Sequence, residues 1–349
     1  MNTYAATSPM RFLLVLVSLA FAALSACSED VAVRPRTTYG DWAALPASAN
    51  IPTLRIAPSY GVSGNKIVVI GGYSPYPVSI GLVEVFDTTT ETWTTPAATL
   101  PNPRGGAIEG VHNGKMYISA GYIDGGNYPL DTQEYNIAAQ TFDNCAASLA
   151  GSPCANITPG NLGLGAEQAA SVTYNGKIYT FGGKVNLSFV DDAVREYDIG
   201  ANSWTDCTGG CAPVPVGPTW VGDAVAIGGM AYYIHPFTND LLEYDIPNNS
   251  WSNCGTVAPG NNCPAVPATP STTVLTAEMH GRIYALQENT TVLFEYSPTS
   301  NTWTNCGTPA PGNGCPVLPG AASRIEAVGN KLYGFDQASG TVYKAIITP

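Results

Sequence analysis

Charge is scarce in this sequence, and basic charge is the scarcest. Of 349 residues only 11% are charged, 14 basic against 26 acidic, giving a net charge of -12. No run of Lys or Arg occurs. That excludes the clustered cations which nucleic acids and anionic membrane surfaces require. Histidine appears three times, at His112, His235 and His280. A Ser-His-Asp arrangement, a nucleotide loop and a metalloprotease motif are all missing. After residue 27, no apolar stretch reaches the roughly 18 residues of a membrane span.

What the chain has in quantity is turn formers and aromatics. It carries 37 Gly, 28 Pro and 19 Tyr and is 45% hydrophobic. That composition fits an all-β, turn-rich fold with a sizeable core.

The N-terminus stands apart. Phe12 to Ala26 is an apolar segment ending in small residues, after Met10-Arg11, and it reads as an export signal. Its last letters, Leu24-Ser25-Ala26-Cys27, resemble the lipobox of bacterial lipoproteins. The resemblance implies cleavage before Cys27 and a thioether lipid on its sulfur. The other reading is an ordinary signal peptide with a chance cysteine. Ser28, in place of the Asp that commonly retains such proteins at the inner membrane, points to the outer membrane and leaves its periplasmic or surface side open. Translation starts at Met1 or Met10. The expected layout is a signal peptide over 1–26, a tether over 27–36 and one folded domain over 37–349.

Nine cysteines are present, an odd number. Eight fall into local pairs, Cys145-Cys154, Cys207-Cys211, Cys254-Cys263 and Cys306-Cys315, and Cys27 is left over. Zinc competes for paired cysteines, but these spacings and the distant histidines suit it poorly. Disulfides in an oxidising compartment are expected, with no metal.

One segment is written three times: Glu196 to Cys207, Glu243 to Cys254 and Glu295 to Cys306. Self-similarity at such a period signals a repeat architecture. Upstream of each copy an apolar run follows a tight turn, as in Asn113-Gly114 and Asn175-Gly176, a strong hairpin signal. Aligned on Lys66, Lys115, Lys177, Met230, Arg282 and Lys331, six units recur about 49 to 62 residues apart. A third-strand aromatic follows in each: Phe86, Tyr135, Tyr197, Tyr244, Tyr296 and Tyr343. Seven residues beyond the first five stands another: Trp93, Phe142, Trp204, Trp251 and Trp303.

Apolar run, Gly71-Gly72 or Gly182-Gly183, then Tyr, then Trp: this order resembles the kelch repeat over nearly all of the chain past the tether. Ala120-Gly121 half-matches the double glycine. His235-Pro236, Gln287-Glu288 and Asp336-Gln337 replace it in the last three units. The resemblance implies an all-β, six-bladed β-propeller of four-stranded blades. The sixth unit ends before its fourth strand, so the N-terminal strand, residues 37–48 with Trp42, is expected to complete that blade and cover its bare edge.

Strand alternation sorts the connections onto two faces. The first-to-second and third-to-fourth turns are short and share one face. The second-to-third loops and the blade-to-blade loops share the other, which carries all the irregularity and every expected disulfide. Binding usually lives on variable loops held by a rigid scaffold, so this loop face is the expected functional face. Its aromatics are Tyr73, Tyr76, Tyr122, Tyr128, Phe189, His235 and Phe237, offered to a protein or carbohydrate ligand or packed beneath their own loops. The central channel is expected to receive Arg104, Glu109, Glu167, Asp223, Glu278, Arg324 and Glu326, either as a shared cation or acid–base site or as solvated strand ends.

Two functions compete, beside a purely structural role with no specific ligand. One is a monomeric, lipid-anchored binding module without cofactor or catalytic residues. The other is a sugar-acting enzyme such as a sialic acid mutarotase or epimerase, suggested at the level of fold alone and requiring Arg104 and Arg324 to meet a substrate carboxylate. A copper oxidase of the galactose oxidase type needs two His, two Tyr and a Tyr–Cys crosslink, which these paired cysteines and scattered histidines do not supply.

Overall fold

The computed structural model describes residues 38–143, 154–157, 167–186, 189–206, 211–253, 263–269, 273–306 and 315–349. Cys27 and the segment before it lie outside the described residues, as do Cys145, Cys207 and Cys254. Six antiparallel sheets follow one another along the chain, five of four strands and one of five. Their first strands are Ser59–Ser63, Ile108–His112, Ala170–Tyr174, Asp223–Ile227, Val274–Met279 and Arg324–Val328. Each touches the next around the ring, and the sixth returns to the first.

Local chemistry explains the sheets. In the turns Asn113-Gly114 and Asn175-Gly176, φ is 49° and 75°, and 49° and 74°. Two successive left-handed residues make the hairpin turn whose twist matches the strands it joins. The third-to-fourth turn solves a different problem. Asn202, Asn249 and Asn301 each adopt a φ near 50°, and each Oδ1 accepts the hydroxyl of the tyrosine five residues earlier, at 2.8, 2.7 and 2.8 Å. The tryptophan two residues later packs on that tyrosine, with ring centroids 4.9–5.0 Å apart. The indole N–H of Trp251 then donates to the Ala212 carbonyl, and that of Trp303 to Pro264. The repeated letters therefore encode a Tyr–Asn–Trp knot that ties a blade to the connection entering it.

The double glycine has its own cause. A Cβ on Gly71 would come within 2.5 Å of the Arg104 carbonyl oxygen, and one on Gly182 within 2.6 Å of that of Thr219. The backbone entering the next blade passes over these positions.

The ring closes between its termini. Thr38 pairs with Thr348 and Tyr39 with Ile347; Ala43 pairs with Lys344 and Ala44 with Tyr343. Trp42, buried between these two short pairings, packs in one cluster with Leu318, Tyr343 and Ile347. The edge that the shortened sixth unit leaves bare is thus covered.

Three ion pairs are sunk in this framework: Arg55 with Glu84, Arg104 with Asp131 and Arg195 with Asp191. Arg104 is held bidentately at 2.8 Å by both Asp131 oxygens and also donates to the carbonyls of Asn102, Ala120 and Asp131. Burial lowers its pKa, and Asp131 offsets only part of that.

Candidate site: a funnel and channel on the loop face

The connections that lead into the first strands converge on one face of the ring. They line a funnel of about 390 Å³ with Ile56, Pro58, Gln168, Val221, Thr273 and Ser323. Blades five and six add Glu288, Asn289 and Gln337 from their second-to-third loops. The funnel is thus lopsided: Ile56, Ala57 and Pro58 stand beside the ion-paired Arg55 where the first blade begins, and the side of the last two blades is polar. Below it a channel of about 340 Å³ runs between the first strands. Both cavities share Tyr60 and Arg324, which form the neck.

Arg324 is the hub of this neck. Its Nε donates to Glu326 at 2.6 Å, while its terminal nitrogens lie 3.4 Å from Glu109 and 3.6 Å from Asp223. Its guanidinium also stacks over the Tyr60 ring, 5.2 Å from the centroid. Burial pulls its pKa down, but Glu326, Asp223 and Glu109 outweigh that and hold it raised. Glu109 accepts the Tyr60 backbone N–H at 3.2 Å, and burial raises its pKa to about 7. Burial also raises Glu326 and, in the funnel wall, Glu288. Asp223 links two further blades by accepting the Thr276 backbone N–H at 2.8 Å. Tyr60 is pushed to about 12, chiefly by burial, and its hydroxyl accepts the Gln337 amide at 2.5 Å.

The channel residues expected from sequence divide. Glu109, Asp223, Glu278, Arg324 and Glu326 line the cavity. Arg104 is instead the structural partner of Asp131. It sits in the connection before its strand rather than on it, where the buried carboxylate claims it. Glu167 also lies outside the channel: it pairs by backbone with Lys184 and faces the Tyr128 hydroxyl. Lys184 in turn stacks over Trp220 at 4.9 Å.

The loop-face aromatics divide as well. Tyr76, Phe189 and Phe237 are exposed, at 64%, 55% and 44%. Tyr73 and His235 are each 3% exposed and act as packing: the Tyr73 ring lies against Gly105 and Tyr122 of the second blade, and the His235 ring meets Thr238 and Phe237 of its own loop. Tyr73 meets Tyr76 and Tyr122 at ring distances of 5.3 and 6.3 Å, and Tyr122 meets Tyr128 at 5.3 Å. Its hydroxyl donates to the Tyr122 carbonyl. Only Tyr76 of this row projects well into solvent.

Around Tyr76 an apolar rim forms with Leu54, Ile56 and Val78, all exposed. Hydrogen bonds tie the two stretches of chain that carry it. Ile56 and Tyr73 exchange backbone hydrogen bonds, Ser74 donates to the Val78 carbonyl, and the Ser74 hydroxyl donates to the Leu54 carbonyl.

The described cysteines lie in the connections between blades. Cys306 and Cys315 are bonded to each other, and Cys154, Cys211 and Cys263 are disulfide-bonded too. No described cysteine lines the funnel or channel. Ala155 and Ala212, each directly after a cysteine, donate their N–H to Asn202 and Asn249 in the next blade's third-to-fourth turn. These connections therefore pin the seam between blades, because the Tyr–Asn–Trp knot needs a fixed backbone partner there.

Sequence reasoning missed Tyr60, Thr276, Glu288 and Gln337. A signal for the last two was present: Glu288 and Gln337 occupy places where the double glycine is broken.

Six radially arranged sheets with touching first strands define a six-bladed β-propeller. The kelch motif matches residues 55–97 and 167–209, the first and third blades, so the propeller carries kelch repeats there. No curated protein is significantly similar to it. Kelch propellers in general bind proteins, and the fold supports that broad role here.

Proposed function

We propose that this protein is a lipid-anchored binding module of the bacterial cell envelope, holding a protein or glycan ligand at the loop face. The observation that carries this reading is the exposed set of Leu54, Ile56, Tyr76 and Val78 at the apolar side of the funnel. Exposed apolar side chains gathered at the edge of a depression favour a macromolecular contact with a buried anchor. Cys27 and the apolar segment before it support the anchor. A random-peptide library and a glycan array, both presented to the full chain, test the ligand class. Specific hits that Tyr76→Ala weakens at least tenfold are expected. Blank panels alongside accelerated sugar chemistry would overturn the reading. Fatty-acid labelling that Cys27→Ser abolishes tests the anchor, and labelling that survives the substitution rejects it.

The second reading, a sugar-acting enzyme, draws on Glu109, a carboxyl tuned near 7 inside a cavity. Its two required arginines are already engaged: Arg104 by Asp131, and Arg324 by three carboxylates. Anomer exchange followed by NMR, with no acceleration expected, decides against it.

A further inference from the structure

Left-handed backbone edges the funnel. Ala57, Gly106, Gln168 and Val221 each stand two residues before the first strand of their blade. Their φ angles are 49°, 58°, 54° and 58°. A belt of hydrogen bonds joins them: the Gly106 N–H donates to the Ala57 carbonyl, Gln168 to Gly106 and Val221 to Gln168, at 2.7–2.9 Å. Glycine takes this conformation without steric cost and does so in the second blade. Gln168 takes it at a cost, so the belt itself does not call for a glutamine. The side chain has room because its neighbour has none: a Cβ on Gly106 would come within 3.0 Å of the Gln168 Cγ. On the polar side Asn289 repeats the pattern, with a φ of 58°. Both residues line the funnel. Among the described residues, neither side-chain amide has a hydrogen-bond partner.

The charges around these amides are already matched. Arg55 is paired with Glu84, and Arg324 with three carboxylates. Glu288 bonds the Thr273 hydroxyl, and burial disfavours its charged form. A charged ligand would find no free opposite charge in this partly enclosed space, and would lose its hydration there. What stands open are amides, which donate and accept at once, with Ile56 and Pro58 in the same funnel.

We propose that the funnel binds an uncharged, polyhydroxylated ligand, a neutral sugar, whose hydroxyl groups Gln168 and Asn289 read. Adjacent sugar hydroxyls each donate and accept, which matches the amides, and the C–H face of the ring suits Ile56 and Pro58. The cavity, about 390 Å³, falls within the roughly 300–1,000 Å³ of small-ligand sites. The inference rests on the loop-face reading and narrows it to this ligand class. The sugar reaches the funnel either free or as the end of a glycan chain.

Calorimetric titration of the full chain tests the site with the methyl glycosides of glucose, galactose, mannose and N-acetylglucosamine. At least one is expected to bind. Its counterparts with a carboxylate at C6 or an ammonium at C2 should bind at least fivefold more weakly. A trisaccharide ending in the same sugar separates the sources: tighter binding than the glycoside assigns a glycan end, and equal or weaker binding a free sugar. Gln168→Gly and Asn289→Gly delete the amides while easing the left-handed backbone. Each should weaken binding at least tenfold at an unchanged or higher melting temperature. The inference is overturned if no glycoside binds, if the charged counterparts bind as well as the neutral sugar, or if both variants bind like the wild type. A peptide with blocked ends that binds in place of every glycoside overturns it too. Tyr76 does not line the funnel, so Tyr76→Ala should leave glycoside binding intact while weakening the hits from the peptide and glycan panels. Funnel and rim can therefore fail separately.

Discussion

Arg324 and Glu109 are 215 residues apart in sequence and 3.4 Å apart in space. One comes from the first strand of the sixth blade, the other from that of the second, so the ring must close for them to meet. Their pairing makes the centre of the propeller both a structural tie and the floor of the candidate site.

This tie is pH-dependent. Burial raises the Glu109 pKa from 4.5 to about 7, so between these values the folded protein binds a proton that the unfolded chain releases. Stability from this group is full below pH 4.5 and is lost as pH rises through 7. Over that window the loss is on the order of 2 kcal/mol, after allowance for partial solvent access. Glu109→Gln should melt at about the wild-type temperature at pH 5 and above it at pH 8. Calorimetric scans at the two pH values check this, and an equal offset at both contradicts it.

Closure rests on Trp42, which is 7% exposed and shares a cluster with Tyr343. Trp42→Ala removes a large side chain from a packed site and should cost about 3–5 kcal/mol. Urea unfolding midpoints measure the loss. A midpoint near that of the wild type would mean that the terminal strand is dispensable.

Arg104, placed in the channel by its position in sequence, proves to be framework. Arg104→Met leaves Asp131 as an uncompensated buried charge and should cost about 3–5 kcal/mol. Adding Asp131→Leu should restore much of that, because removing both partners avoids the unpaired charge. Unfolding of the single and double variants distinguishes this from a binding role, which would leave the stability unchanged.

The fold was legible because its determinants are local and repeated. Asn-Gly turns, paired aromatics seven apart and the double glycines each leave a mark in the letters. Closure was legible from what the sixth unit lacks. The site was legible only in part. Glu109, Asp223 and Arg324 could be placed on first strands, but which charges meet depends on the twist and stagger of six separate blades. Arg104 shows the limit: one residue's position relative to a strand end decides between channel and core. The cysteines teach a related point, since spacing suggested the pairs while their place at the blade seams follows from Asn202 and Asn249. Glu288 and Gln337 were written where the repeat breaks. A departure from a structural consensus marks a position released from its structural duty.

The account's central claim is that the loop face, and not the turn face, is the working surface. The most direct test takes hits from the peptide and glycan panels and measures their binding to two single-site variants of the full chain. Ile56→Asp changes the exposed loop-face rim, and Asn65→Asp changes a first-to-second turn on the opposite face. The account predicts at least a tenfold loss with Ile56→Asp and wild-type affinity with Asn65→Asp. The reverse pattern, with binding intact at the rim and lost at the turn, would contradict it.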